Sequence, residues 1–543
     1  MRFWQTWNTA SPNVALPAIE PAIAKRSDRV LAWFIPDMAL VFAITAVLLL
    51  FFKFGGSTDL FGDSDTGWHI RDGERIIAAG ALPHADPFSF SKPGEPWIAW
   101  EWAADVLMGA AHRAAGLGGV ALLYGLAIGA AVWMWFRLNR AAGGNILISG
   151  LLFFIMLPVT TIHWLARPHV LSWLFLLGTV WLCERVPHRV RWRQLALVTV
   201  ATAAWANLHA SFFFAPLILS IYAAGAYLNP LIWEPSSLAP LTAEAGGAAN
   251  QESWIHRGLS YVLFAIAASV GTLANPEGWR LHLHLVSYLS DFKLISHIAE
   301  FQSFDFQAAG ALSVMIMLAI CVAGGFAALS ARQPARFLLS MLLTAVALRS
   351  ARALPVAALL LLPLANGSIT TILSRASNLA PWLRRRLDDT LAYGDRLEIL
   401  DRQLRGFVIV PFIVVWIFLS IRANCEIPSQ RLPVVASAAV AALPAGARIL
   451  APDIFGGYLI YRFKGERKVF VDGRSDFYGL ALMERYIRLM NCTSGWTQEF
   501  NRWGFTHALL PPDSPLISAL EANGWRELHR DKTAVLLTGK SII

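Results

Sequence analysis

The sequence predicts an α-helical polytopic membrane protein with about eleven transmembrane helices and a C-terminal extracytoplasmic α/β domain. Of its 543 residues, 56% are hydrophobic and 15% are charged, whereas soluble domains carry roughly one quarter charged residues. Apolar runs of about 16 to 22 residues recur along the chain, close to the roughly 20 that cross a bilayer as a helix. These features exclude a soluble enzyme.

Eleven apolar segments are predicted to span the membrane. They are residues 35–54, 117–138, 145–163, 170–184, 193–208, 211–229, 258–274, 310–330, 335–349, 353–372 and 406–422. Residues 1–34 form the preceding N-terminal segment, and residues 1–30 contain no continuous apolar h-region before a small-residue cleavage site. We therefore expect the first span to stay in the mature protein.

The distribution of basic residues predicts the orientation. Connections on the N-terminal side carry about 20 Lys and Arg residues, including Arg137, Arg140 and the run 384–386, against about 9 in the opposite connections. Cytoplasmic loops are the basic ones, so the N-terminus is predicted to be cytoplasmic. This topology also accounts for the net charge of +9, and no nucleic-acid partner is expected.

Two regions fall on the external face in this topology. Residues 55–116 form a long first loop of the 35–425 transmembrane domain, and residues 426–543 form the external α/β domain, with strands predicted at 467–472 and 507–510. Residues 98–115 contain Glu101 and are interpreted as an amphipathic surface helix, because a twelfth span would invert the charge distribution. Whether Cys425 and Cys492 pair stays open.

Unusual polar residues collect at the external ends of the spans. Ionisable groups near a bilayer are costly and are functional candidates for that reason. The candidates are Asp63, Asp65, Arg167, His169, Asn207, His209, Glu277, Glu300, Arg349 and Arg352.

Each candidate also has a structural interpretation. Asp63 and Asp65 either cap the helix that follows or act as a base or as ligands of a divalent cation such as Mg²⁺ or Mn²⁺. Arg167 either extends toward the interface or grasps phosphate. The histidines and Asn207 suit interhelical hydrogen bonds, and Glu277 follows a span-terminating Asn-Pro pair. Arg349 and Arg352 require a neighbouring anion in apolar surroundings.

Several segments, in order along the chain, resemble a broad, largely uncharacterised bacterial group of GT-C-like membrane proteins. The first loop contributes Asp-Ser-Asp-Thr-Gly-Trp-His-Ile-Arg-Asp-Gly-Glu-Arg-Ile (63–76), Leu-Pro-His-Ala-Asp-Pro-Phe-Ser-Phe (82–90) and Pro-Trp-Ile-Ala-Trp-Glu-Trp (96–102). Later landmarks are Arg-Pro-His (167–169), Trp-Ala-Asn-Leu-His-Ala-Ser-Phe (205–212), Asn-Pro-Glu-Gly-Trp (275–279), Arg-Ser-Ala-Arg-Ala-Leu-Pro (349–355) and Val-Phe-Val-Asp-Gly-Arg (469–474). The arrangement is similar to GT-C glycosyltransferases such as protein O-mannosyltransferases and oligosaccharyltransferase catalytic subunits.

The resemblance implies an inverting glycosyltransferase in the bacterial inner membrane. It would move a sugar from a polyprenyl-phosphate donor to an envelope glycan, lipid or protein acceptor at the external face, in contact with membrane lipid. By position, Asp63 or Asp65 would activate the acceptor or bind a metal, and no cofactor is certain. The arginines and histidines, namely Arg167, His169, His209, Arg349 and Arg352, would bind the donor phosphate, with Glu101, Asn207, Glu277 and Glu300 as further candidates. A non-catalytic envelope scaffold or a transporter-like protein is the alternative.

The chain departs from characterised GT-C relatives at two places. Arg167 and His169 stand where those relatives have a second acidic residue, and Asn207 and His209 stand where the mannosyltransferases have a lysine-glycine motif. Phosphate binding rebuilt on Arg and His is one interpretation of these departures, and a different or absent activity is the other.

Overall fold

A computed structural model describes residues 32–53, 56–187, 189–233 and 246–539. Most of the predicted N-terminal segment 1–34 and part of the predicted cytoplasmic linker 230–257 lie outside these residues.

The predicted first span is followed by a loop that contains shorter helices and ends in a long kinked helix. Helix α1 spans Met38–Phe52, α2 spans Ser57–Leu60 and α3 spans Asp65–Ala79. Helix α4 (Trp102–Ala141) joins the predicted surface helix 98–115 to the predicted second span. The two parts meet at Gly116, whose φ of 60° is left-handed and breaks the helical geometry.

The remaining helices up to residue 421 form the rest of the bundle. They are α5 (Ile146–Thr160), α6 (Pro168–Glu184), α7 (Trp192–Leu208), α8 (Phe214–Ile232), α9 (Gly246–Thr272), α10 (Trp279–Ser290), α11 (Phe292–Ser296), α12 (Ala311–Ser330), α13 (Pro334–Arg349), α14 (Leu354–Arg375), α15 (Pro381–Asp401) and α16 (Ile409–Ile421). Short 3₁₀ turns at Thr161–His163, Ala210–Phe213, Ala299–Phe301 and Ala351–Ala353 flank several of them.

A helix occupies each of the eleven predicted spans, and the structure supports a multi-pass membrane protein. Among the described residues, five helical stretches are long and apolar enough to cross a membrane: Trp102–Ala141, Ile146–His163, Ala210–Ile232, Ala311–Ser330 and Ala351–Arg375. Large apolar side chains such as Leu151, Phe154 and Leu312 are more than two-thirds exposed on these helices, as expected where lipid covers the surface. The full count of eleven spans stays a prediction.

The C-terminal part carries a small mixed sheet. Its strands are β1 (Ile449–Leu450), β2 (His507–Leu510), β3 (Arg526–Arg530) and β4 (Val535–Thr538), in the order β1-β2-β4-β3. In this sheet β1 pairs with β2 in parallel, and β4 pairs antiparallel with both β2 and β3. Its helices are α17 (Ser437–Ala441), α18 (Asp453–Arg462), α19 (Ser475–Met490), α20 (Trp496–Trp503) and α21 (Pro515–Ala522).

The prediction of a strand at 467–472 is wrong, because this segment is not one of the four strands. The segment is buried, but its Val469 pairs with Ser89 of the first loop as an isolated parallel bridge. The Val469 N–H donates to the Phe88 carbonyl at 3.0 Å, and the Phe90 N–H donates to the Val469 carbonyl at 2.9 Å. An apolar run therefore buries itself against the loop instead of the sheet.

Glycines allow the first loop and the C-terminal part to pack closely. A Cβ atom at Gly67 of α3 would lie 2.3 Å from the carbonyl oxygen of Gly457 in α18, and one at Gly457 would lie 2.2 Å from that of Ser64. Both distances are shorter than van der Waals contact, so the two helices touch through their backbones.

Cys492 carries a free thiol, so the disulfide with Cys425 is not formed.

Candidate functional site

Three carboxylates converge on the guanidinium of Arg167. Its Nη1 lies 2.7 Å from Asp63 Oδ2 and 2.7 Å from Glu300 Oε1, and its Nη2 lies 2.9 Å from Asp65 Oδ2. Arg167 precedes Pro168, the first residue of α6, and its backbone is extended, as expected for a residue before proline. We call Asp63, Asp65, Arg167 and Glu300 the acidic cluster.

Asp63 helps to cap the helix that follows it, which is its structural interpretation from the sequence, and it also contacts Arg167. Its Oδ1 accepts a hydrogen bond from the Asp65 N–H at 2.8 Å, which satisfies a donor at the start of α3. Its side chain is 23% exposed, against 9% for Asp65. Asp63 is therefore the more accessible carboxylate of the pair.

Burial and charge separate the carboxyl groups of the acidic cluster. Burial raises the pKa of Asp65 to about 8, and the nearby Asp63 and Glu300 add to this rise while Arg167 opposes it. For Glu300, burial also favours a higher pKa, but Arg167 and Arg352 outweigh it and lower the pKa. A carboxyl group with a pKa near neutrality can exchange a proton at physiological pH.

A cavity of about 370 Å³ lies beside the acidic cluster. Arg349, Arg352, His169 and His209 contribute its polar lining. Apolar and aromatic side chains form much of the remaining wall, among them Trp173, Leu176, Tyr288, Phe292 and Phe301. The cavity is thus amphiphilic, with two guanidinium groups beside an apolar space.

Arg352 connects the cavity to the acidic cluster. Its Nη1 lies 3.5 Å from Oε2 of Glu300, whose other carboxylate oxygen contacts Arg167. Glu300 therefore supplies the anion predicted beside Arg352. Arg349 lies at the same cavity with its guanidinium carbon 5.6 Å from the centre of the Phe292 ring.

A chain of histidines and carboxylates runs from the interior of the first loop toward the cavity. His69 Nδ1 lies 2.5 Å from Asp105 Oδ1, and its Nε2 lies 3.8 Å from Glu101. Glu101 also approaches His209 Nε2 at 3.6 Å. Burial raises the pKa of Glu101 to about 7, so this candidate lies near the cluster in a similarly desolvated setting.

Asn207 and Glu277 lie outside the acidic cluster. The Asn207 amide donates to the carbonyls of Ala203 and Ala274 at 2.7 and 2.8 Å, and its Oδ1 accepts from the Trp102 indole at 2.8 Å. These contacts match the interhelical role. Glu277 forms no ion pair with any residue in the described ranges, and it lines a small cleft beside Trp100.

A second buried charge cluster, which was not predicted from the sequence, is centred on Arg474. Its guanidinium contacts Asp472 at 2.7 and 2.8 Å and Asp86 at 2.8 Å, and it lies 4.6 Å from the centre of the Trp97 ring. These residues come from the segments 82–90, 96–102 and 469–474, three of the landmarks that carried the resemblance. All three segments belong to the set that carried the resemblance, and this was the signal that could have predicted their proximity.

The acidic cluster does not fit a divalent cation well. Asp63 and Glu300 each already accept a hydrogen bond from the Arg167 guanidinium, and Asp65 lies within ion-pair distance of it. Within the described ranges, no group of three or more His, Cys, Asp or Glu side chains has an arrangement that could hold a metal ion. The positive charge among these carboxylates is supplied by an arginine.

Comparisons with known proteins give one kind of match. No family model and no curated protein sequence matches the chain. Among solved structures, the crystal structure of the Archaeoglobus fulgidus oligosaccharyltransferase in the apo form is similar with a TM-score of 0.48 and 11% sequence identity. The alignment covers 90% of this chain and 70% of that chain.

Proposed function

We propose that the protein is an inverting glycosyltransferase that uses a polyprenyl-phosphate sugar at the membrane end where the acidic cluster lies. The observation that carries the proposal is the position of Arg352, which lines the amphiphilic cavity and also pairs with Glu300 of the acidic cluster. A donor phosphate held there would lie beside the carboxylates that activate an acceptor.

The cavity suits the chemistry of the donor. A polyprenyl-phosphate sugar has an apolar chain and an anionic phosphate, and the cavity presents an apolar wall together with Arg349 and Arg352. Guanidinium groups bind phosphate oxygens through paired hydrogen bonds. These arginines would neutralise the negative charge that develops on the departing phosphate.

Asp63 would act as the base because it is the more exposed of the two aspartates in the acidic cluster. The acceptor oxygen forms a bond to the anomeric carbon as its proton passes to the Asp63 carboxylate. The bond from the anomeric carbon to the phosphate oxygen breaks, and the phosphate leaves with the electron pair. Attack opposite the leaving group inverts the anomeric configuration.

Arg167 would take the place of a divalent cation in this site. It contacts Asp63, Asp65 and Glu300 at 2.7 to 2.9 Å, so it orients the base and offsets the repulsion among the carboxylates. Transfer is accordingly expected to persist when a chelator removes Mg²⁺ and Mn²⁺.

The proposal is tested by a transfer assay. Purified protein in lipid discs is incubated with radiolabelled polyprenyl-phosphate sugars and an envelope extract, and label in the extract is measured. Asp63→Asn should lower the rate by about 10² to 10⁴, because the amide cannot take the proton. Asp59→Asn, at an exposed acid of the same loop, is the matched control and should keep its rate.

Two results would count against the proposal. Full activity of Asp63→Asn would exclude Asp63 as the base. No transfer by the folded, unaltered protein with any polyprenyl-phosphate sugar would favour the non-catalytic scaffold.

A further inference from the structure

A second polar cleft lies at the opposite end of the helix bundle. It has a volume of about 250 Å³ and lies among α6, α8, α9 and the start of α13. Helix α13 carries Arg336 in its first turn and Arg349 at its last residue, a separation of about 20 Å along a helix at 1.5 Å per residue. The cleft is therefore distinct from the acidic cluster and its cavity.

Arg336 lines this cleft, and its own contacts hold it in place. Its guanidinium contacts both carboxylate oxygens of Glu184, and its Nη2 donates to the Ala142 carbonyl at 3.0 Å. Tyr222 donates to the same Glu184 carboxylate at 2.6 Å. The charges of Arg336 and Glu184 thus offset each other, and the role of this ion pair is structural.

Two further arginines line the cleft without such commitments. Within the described ranges, neither the Arg257 nor the Arg332 guanidinium has a hydrogen bond or ion pair, and the buried Arg257 Nε lacks any partner. Arg257 lies over the Trp254 ring at 5.7 Å from its centre. The side chains lining the cleft therefore carry about two uncompensated positive charges.

The backbone around Arg332 holds this side chain at the cleft. Arg332 has a φ of 59°, in the left-handed region, which is costly for a residue with a side chain. Its carbonyl accepts a hydrogen bond from Asn229 of α8 at 2.5 Å. The N-terminus of α13 follows directly, and the positive end of a helix dipole adds to the attraction for an anion.

We infer that this cleft binds a phosphate group, carried by an anionic lipid headgroup or free in solution. Paired guanidinium donors and a helix N-terminus are the groups that recognise phosphate oxygens. The volume of the cleft accommodates a headgroup rather than a protein segment. Leu231 and Ile232 at the nearby end of α8 are 78% and 53% exposed, which offers apolar surface to acyl chains.

Thermal unfolding of the full-length protein in detergent tests this inference. Three probes are added: inorganic phosphate against chloride at equal ionic strength, short-chain phosphatidic acid, and diacylglycerol with the same chains. A ligand that binds the folded state raises the melting temperature in proportion to its occupancy. Phosphatidic acid should raise the melting temperature of the unaltered protein, and diacylglycerol should leave it unchanged.

Variants assign the effect to the cleft. Arg257→Gln combined with Arg332→Gln should weaken the apparent affinity by about tenfold or more, because two charge-assisted contacts are lost. Arg332→Gln alone changes an exposed side chain, so it reports on binding even if the double variant folds poorly. Arg189→Gln, at an exposed arginine outside the cleft, is the control.

The outcomes separate the two phosphate sources. Stabilisation by phosphatidic acid alone supports a headgroup site, and stabilisation by inorganic phosphate as well supports a site for the phosphate group itself. The inference is overturned if no phosphate probe stabilises the protein, or if the Gln variants respond as strongly as the unaltered protein.

Discussion

The guanidinium of Arg474, in the C-terminal part, lies 2.8 Å from the carboxylate of Asp86 in the first loop. Both side chains are almost fully buried, and Asp472 provides a second carboxylate for the same arginine. Desolvated charges of this kind are tolerated only when they remain paired. The first loop and the C-terminal part are therefore tied together beside the acidic cluster.

Loss of Arg474 should destabilise the protein strongly. Arg474→Met leaves two buried carboxylates without their partner and should lower the free energy of unfolding by about 3 to 5 kcal/mol. Thermal or denaturant unfolding of the purified protein measures this loss. Arg462→Met, at an exposed arginine of α18, is the control, and equal stability of the two variants would show that the Arg474 cluster is not a structural tie.

The stability of the protein should depend on pH through Asp65. Its carboxyl group holds a proton up to about pH 8 in the folded protein, because burial raises its pKa from 3.8. Between these values the folded state binds more protons than the unfolded state, so the free energy of unfolding falls as pH rises.

Asp65→Asn removes this proton and should flatten the decline, whereas Asp59→Asn should leave it as in the unaltered protein. Melting temperatures of the unaltered protein and the two variants, measured from pH 5 to pH 9, test this prediction. The same slope in all three proteins would mean that Asp65 does not titrate in this range.

Conservative change of Arg352 separates phosphate binding from structure. Its ion pair with Glu300 is about a quarter to a third exposed, and pairs of this exposure contribute about 0 to 1 kcal/mol. Arg352→Lys should therefore unfold at nearly the original temperature. The KM for the polyprenyl-phosphate donor should rise about tenfold, because lysine lacks the planar guanidinium that binds phosphate through two parallel hydrogen bonds.

Arg349→Lys should behave in the same way, and Arg280→Lys, at an exposed arginine of α10, should change neither quantity. Destabilisation of both Lys variants with an unchanged donor KM would indicate a purely structural role.

The predicted orientation is tested by labelling single cysteines. Asp472 is buried, so the exposed Asp513 is the better reporter for the C-terminal part, with Arg385 for the connection before α16. In a background without the four native cysteines, a membrane-impermeant thiol reagent should label Asp513→Cys in intact cells and Arg385→Cys only after lysis. Labelling of both from one side would refute the topology.

Helix positions were predictable because an apolar run near 20 residues is a local signal. The acidic cluster was also partly predictable: Asp63, Arg167 and Glu300 were assigned to one membrane level because each follows the end of a span. A shared membrane level does not specify which residues pair with one another. It placed Glu277 with the residues of the acidic cluster, although Glu277 lies outside that cluster.

Contacts between distant segments had no local signal. The buried run around Val469 has the pattern of a strand, but its pairing with Ser89 depends on the packing of the loop against the C-terminal part. The pairing of Arg474 with Asp86 depends on the same packing. The contact of His69 with Asp105 depends on the packing of α3 against α4. A sequence shows such charges without showing which of them become buried together.

Binding of a donor phosphate beside the acidic cluster is tested most directly by a density map of the protein saturated with a polyprenyl-phosphate sugar. We expect phosphate density within hydrogen-bonding distance of Arg349 and Arg352, with the sugar extending toward Asp63. Lipid phosphate bound elsewhere, with this cavity empty at saturating donor, would contradict the account.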